Sequence, residues 1–466
     1  MSEQSTKVVV EGYLPPGHRP APGPRPEREV WTGEDREQAQ PVTKSELWTA
    51  QTPIVTAPPR TAAPPPRQGA VVRNLPSADG RRTRRRIAGV DVTRGFALLG
   101  MIAVHTLPAS ADAAGNPTWT WSLFGGNAAA LFAVLAGVSL AFLTGGRTPR
   151  RGRDAARSRV SLAVRALLLF AVGLSLNFLD IPAYNILIYY GLMFLLAIPF
   201  TLMSVRWLLV SALTFAVASP FLMQWSLEHI PAHVHANPNL FDLVNEPATV
   251  LAELFLTGTY PALPWMTFIC LGMALGRLPL TRDRIQVLLV VIGAVVAAVG
   301  KGISLLMLYR FDLEYALIEA TPWMTSDDVW TAQVYGPDPQ LPTTTWQWLL
   351  LSGPHTNTPF ALIGAAGLAM VALGGFLIAS RAIGRWFTPL AAMGSMTLTL
   401  YASHLVFLTF VEVTPMPWFW YVVQIAVAAL VATAWQQALG NGPLERVVTR
   451  ASKAVGRAVV RTPKES

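Results

Sequence analysis

The chain is short of charge. Asp, Glu, Lys and Arg make up 14% of its 466 residues, whereas a soluble domain carries about a quarter. Cysteine is nearly absent. Cys270 stands alone in an apolar stretch, which excludes a disulfide framework within the chain and reads as a small core residue. The sequence contains no Gly-rich phosphate loop, no G-x-S-x-G nucleophile turn and no zinc-finger spacing. His229, His233 and His235 lie close together, but Pro231 stands between the first two and no Glu is placed as in H-E-x-x-H. They read as loop residues, and no metal is expected. No cleavable signal peptide is expected either, because the first eighty or so residues are polar. The first apolar segment then serves as the insertion signal.

What the chain has is apolar length. It is 52% hydrophobic, with mean hydropathy +0.40. Ten segments read as membrane spans: about 92–110, 121–144, 160–179, 183–203, 206–225, 251–275, 285–308, 358–379, 387–410 and 417–439. Most reach the roughly 17–25 residues that a crossing helix needs. The fold class expected is all-α, a polytopic bundle of about ten transmembrane helices in the cell (inner or plasma) membrane.

Net charge is +9, yet the cations sit beside apolar segments, so a membrane and no nucleic acid is implied. They fall in Arg81–Arg86, Arg147–Arg159, Arg206, Arg277–Arg284, Arg381 with Arg385, and Arg446–Arg461. The alternate loops hold Asp112, Glu228, Asp242, Glu246, Asp312, Glu314, Asp327 and Asp328, with Arg310 almost their only cation. Strict alternation over ten spans places the first set and both termini in the cytoplasm. Residues 1–86 are rich in Pro and Arg and read as a disordered cytoplasmic tail, or as a polyproline docking arm. Residues 87–446 form the membrane domain and 447–466 a basic cytoplasmic tail. Two outer loops are long, about 226–250 and 309–357. The second carries Trp323, Trp330, Trp346 and Trp348, which suit an interfacial belt or a stacking platform for sugars.

Ionisable groups within a bilayer are costly and mark function. At 100° per residue, Arg94, Leu98, Met101 and His105 form one stripe on the first span. It sets a cation near the surface and an imidazole about 16 Å further along the axis. Toward the outside gather His105, Asn127, Asn177, Asp180, Asn185, Tyr189 and His404, the last at the outer end of an i, i+4, i+7 stripe with Thr397 and Tyr401 on the ninth span. Such a group suits a polar cavity open outward. Toward the cytoplasm, Asp91 and Arg94 are spaced to pair, and Arg94 with Arg165 suits an anion such as a phosphate. Snorkelling to the headgroups is the other reading of Arg165. Small residues at i, i+4 in the spans read as packing contacts.

Asp91-x-x-Arg94-Gly95 followed by His105 resembles the first span of the transmembrane acyltransferase superfamily. In its acyltransferase-3 branch a histidine at this spacing is held to be catalytic. LFAVLAGVSLAF in the second span, Tyr260–Trp265 followed by Gly272, Gly276 and Arg277, Pro354–Pro359, Gly394 through His404, and Gly442–Arg446 are similar to the YeiB-like and heparan-α-glucosaminide N-acetyltransferase-like branches. The resemblance covers about 87–446. It implies transfer of an acyl group, acetyl above all, from cytoplasmic acyl-CoA to a hydroxyl or amine of an outward-facing envelope glycan or glycolipid. The heparan branch carries its histidine just before the second span, where this chain has Thr118–Trp121, and has asparagine where this chain has His105. The chemistry therefore falls to His105 as general base, alone or shared with His404 or His355. Asn127, Asn185 or Tyr189 would donate to the oxyanion. Arg94, Arg165 and Asp91 would form the acyl-CoA phosphate site. The rival readings are a transporter or flippase, betrayed by an inverted repeat, and a scaffold working through its tail. An oligomer is left open.

Overall fold

The computed structural model describes residues 87–112, 115–230 and 235–460. These lie in the unit Arg82–Ser466, while the unit Met1–Arg81 lies outside them, and so does the expected tail 1–86. Among the described residues the secondary structure is helical, with one isolated bridge between Ser110 and Pro117.

In chain order the helices are α1 (Ala88–Thr106), α2 (Trp119–Phe124), α3 (Asn127–Leu143), α4 (Gly152–Leu176), α5 (Leu187–Leu196), α6 (Val205–His229), α7 (Leu240–Asn245), α8 (Pro247–Ala252) and α9 (Ala262–Gly276). There follow α10 (Asp283–Arg310), α11 (Leu313–Ala320), α12 (Ser326–Val334), α13 (Pro359–Ala382), α14 (Thr388–Ser395), α15 (Thr397–Phe410), α16 (Pro417–Leu439) and α17 (Pro443–Val459). Among the described residues seven helices are long and apolar enough to cross a membrane, counting α2 and α3 as one. Two further spans are broken. Pro247–Thr257 meets α9 at 43°, and Gly384–Ser395 meets α15 at 72°. The fourth expected span, 183–203, contains only the ten-residue α5 and a 3-10 turn, Pro199–Leu202. Ten is therefore reached only by counting that short helix. The protein is an integral membrane protein.

The connecting segments sort to two ends. At one end Arg381 pairs with Asp283 and donates to the Thr281 carbonyl. There too Arg277 donates to the Thr201 carbonyl (2.8 Å) and Arg159 to the Thr201 hydroxyl (3.3 Å). At the other end Trp121 Nε1 donates to the Val334 carbonyl (2.9 Å), Gln224 to Thr345 (2.9 Å) and Gln340 to Thr257 (3.0 Å). This grouping matches the alternation read from the loop charges.

The end away from the arginines carries a folded cap. Leu308, Leu313, Leu317, Val329, Ala332, Leu341, Trp348 and Leu351 form its own core. Trp348 is fully buried there, with Nε1 donating to Thr321 Oγ1 (3.1 Å). It therefore serves neither a belt nor a sugar platform, whereas Trp323 and Trp346 are exposed.

At the basic end, Pro443–Val459 is a helix laid along the bundle, where a tail from 447 was expected. Val448, Ser452 and Gly456, spaced i, i+4, i+8, give it one buried face. Residues 461–466 lie outside the described ones.

Close approach of helices rests on glycine. A Cβ on Gly137 would strike the Ile269 carbonyl oxygen, and one on Gly272 that of Val134, so α3 and α9 meet backbone to backbone. Gly95 and Gly394 do the same for α1 and α14, the latter against the Asp91 carbonyl. These contacts account for the glycines of Asp91-x-x-Arg94-Gly95 and of the ninth span.

Candidate active site

α1 starts beside the basic end, with Asp91 in its first turn, where a carboxylate suits the helix dipole. It stops at Thr106 because Leu107 precedes Pro108, and proline disfavours a helical conformation before it. Its stripe thus runs from one end of the bundle toward the other, and a cavity lies at each end.

The cavity at the basic end measures about 480 Å³ and is lined by Asp91, Arg94, Ser139, Arg165, Tyr401, Glu445 and Lys453, among others. Arg94 Nη1 pairs with Asp91 Oδ1 (2.9 Å) and Nη2 donates to Ser139 Oγ. The structure therefore brings Asp91, Arg94 and Arg165 to one wall. The cavity at the capped end measures about 520 Å³ and is lined by His105, Trp121, Tyr184, His235, Tyr260, Tyr335 and His355, among others. Among the described residues Met101 is the one side chain that lines both.

His105 and His404 meet. Nδ1 of His105 lies 3.1 Å from Nε2 of His404, with the ring planes 8° apart. Nδ1 of His404 lies 2.6 Å from Gln424 Oε1, and Gln424 Nε2 donates to Thr106 Oγ1 (3.2 Å). The amide imposes a direction. Its oxygen accepts, so His404 carries its proton on Nδ1 and turns the Nε2 lone pair to His105. His105 then donates from Nδ1, and its remaining lone pair is on Nε2. His105 lines the capped cavity, whereas His404 is buried behind it.

α15 is held by a neighbour. Glu445, in the first turn of α17, accepts from Leu398 N (2.7 Å), Thr399 N (3.1 Å) and Thr399 Oγ1 (2.6 Å). It satisfies the N-terminal N–H groups that Met396, lacking a polar side chain, cannot.

The three expected oxyanion donors lie elsewhere. Asn185 Nδ2 donates to Asn177 Oδ1 (2.7 Å) and the Gly173 carbonyl (3.1 Å), and its Oδ1 accepts from Leu187 N (3.0 Å). Its capacity is spent on joining α4 to the start of α5. Asn127 donates to the Leu123 carbonyl (3.1 Å) across the Gly125–Gly126 break, and faces a separate cavity of about 40 Å³. Tyr189 is buried against Tyr260 and the Gly258 backbone. It supports the loop that lines the capped cavity.

His355 is brought to the cavity by a strained turn. His355 (φ 56°) and Asn357 (φ 55°) are both left-handed, a cost carried at functional walls. Trp265 Nε1 holds Asn357 Oδ1 at 2.8 Å. His355 Nδ1 is buried without a hydrogen-bond partner among the described residues. Burial pushes its imidazole down to about 4, so it is neutral at physiological pH. His229 stacks on Trp225, and His235 Nδ1 contacts Glu253 (3.1 Å), so the two do separate work; His233 lies outside the described residues.

Gln424 and Tyr335 did not emerge from sequence. For Gln424 a signal existed, an amide in the otherwise apolar run of α16. For Tyr335 none did, because cap folding alone brings it to Trp121 (ring centroids 5.7 Å apart).

Fold and cavities together define a polytopic integral membrane protein with a cavity at each end of one helical bundle. Residues 86–310 match the family model described as heparan-alpha-glucosaminide N-acetyltransferase, catalytic. The matched stretch holds Asp91, Arg94, His105 and Arg165, while His355, His404 and Gln424 lie beyond it. A comparison with curated proteins finds no match.

Proposed function

We propose that the protein is a membrane acyltransferase that takes an acyl group, acetyl first, from acyl-CoA at the basic end and passes it to a hydroxyl or amine of an envelope sugar or glycolipid at the capped end. By the positive-inside rule the basic end is cytoplasmic. The observation that carries this reading is the directed chain from Thr106 through Gln424 and His404 to His105. It leaves a basic nitrogen at the wall of a cavity that also offers Trp121, Tyr260 and Tyr335, rings suited to the apolar faces of sugars.

In this mechanism Arg94, Arg165 and Lys453 hold the donor's phosphates, with Asp91 and Ser139 fixing the Arg94 guanidinium. His105 Nε2 removes the proton of the acceptor as its oxygen or nitrogen attacks the thioester carbonyl. A C–O or C–N bond forms and the C–S bond breaks. The imidazolium, steadied by its Nδ1–H bond to His404, returns the proton to the departing CoA thiolate. The products are the acylated acceptor and free CoA thiol.

The test is His105→Ala in purified protein reconstituted in nanodiscs, with acetyl-CoA as donor and glucosamine as acceptor. Release of CoA thiol should fall by roughly 10²–10⁴-fold, with acetyl-CoA binding retained. Wild-type turnover in that variant would remove His105 from the chemistry.

A further inference from the structure

The two cavities lie on one line along α1, and Met101 stands between them. It is one turn from His105, about 6 Å along the axis, and about 10 Å from Arg94. It is the side chain common to both linings among the described residues, and it is 3% exposed. Its neighbours on the same helix do not share that place. Leu98 is fully buried and lines neither cavity. Across from α1, α3 contributes Ala128 and Ala129 to the capped cavity and Phe132, Leu135 and Ala136 to the basic one, so its lining changes over a single turn.

The chemistry of the residue suits this position. Methionine is unbranched, with three rotatable bonds, and exchanges staggered rotamers without moving the backbone. A β-branched residue here would be rigid, and an aromatic one would need a far larger displacement. A thioester reaching from the phosphate-binding wall to His105 must pass this side chain.

We infer that Met101 is the gate between donor and acceptor chambers and sets which acyl groups pass, admitting short chains and excluding long ones. The inference rests on the acyltransferase reading above. It assigns Met101 a selective role, distinct from the proton transfer at His105 and the phosphate contacts at Arg94.

The test uses full-length protein in nanodiscs with acetyl-, butyryl- and hexanoyl-CoA and glucosamine. Met101→Ala should raise kcat/KM for hexanoyl-CoA relative to acetyl-CoA by roughly tenfold or more, the scale on which pocket size discriminates methylenes. Met101→Trp should abolish transfer of all three while acetyl-CoA still binds. A second readout needs no acceptor. A short acyl-CoA with a terminal diazirine should label the peptide holding Trp121 or His355 in the wild type. In Met101→Trp it should label only basic-end residues such as Phe132. Unchanged chain-length ratios in Met101→Ala, or capped-end labelling in Met101→Trp, would overturn the gate while leaving the acyltransferase reading intact. A wild-type protein that binds no acyl-CoA would overturn both.

Discussion

His105 Nδ1 and His404 Nε2 lie 3.1 Å apart although 299 residues separate them in the chain. Neither nitrogen can be assigned alone. The Gln424 amide, anchored on Thr106, sets the proton on His404 and through it the tautomer of His105. The orientation of the imidazole at the cavity wall is therefore the product of three helices, α1, α15 and α16.

Gln424→Leu removes the acceptor that fixes the His404 tautomer. Turnover should fall by roughly 10–100-fold, a fraction of the general-base contribution, with KM for acetyl-CoA nearly unchanged. Gln424→Glu keeps an acceptor facing His404 and should restore most of the turnover. Steady-state kinetics of the two variants check this. Equal losses in both would reduce Gln424 to a packing residue.

Arg94 and Arg165 share the basic-end cavity with Lys453. Arg165→Ala should raise KM for acetyl-CoA by roughly tenfold, the loss of about 1.4 kcal/mol of charge-assisted contact, and leave kcat within a few-fold. Dephospho-CoA thioesters, lacking one phosphate, should show a smaller penalty from the same substitution. Kinetics with the two donors separate phosphate binding from snorkelling, which predicts no change in either.

The meeting of α3 and α9 at Gly137 and Gly272 leaves no room for a side chain. Gly137→Leu should destabilise the bundle by about 3 kcal/mol, the upper end of overpacking costs. The midpoint of thermal unfolding in detergent measures it. Gly302 and Gly375, where a Cβ meets nothing within 4 Å, provide the controls, and alanine there should leave the midpoint nearly unchanged.

The sequence was most legible where a solvent preference was at stake. Apolar length and the alternation of basic and acidic loops led to a helical membrane bundle and a consistent sorting of loops. The stripe Arg94–Met101–His105 was visible because helical period is a local property. Legibility failed where partners are distant. Asn185 has the depth expected of a site residue, yet its hydrogen bonds are consumed by Asn177, Gly173 and Leu187. Trp348 has the composition of a belt residue, yet the cap folds around it. A polar residue in a span announces that a partner exists without saying which.

By itself, then, the sequence determined the bundle, the sorting of its loops and the face of α1 on which a cation and an imidazole align, because hydration, hydropathy and helical period act on each segment alone. Only the tertiary structure decided that His105 is paired to His404 and directed by Gln424, and that Met101 lines both cavities. Those relations depend on how helices from opposite ends of the chain pack, and hydrogen-bond direction exists only once donor and acceptor have been brought together.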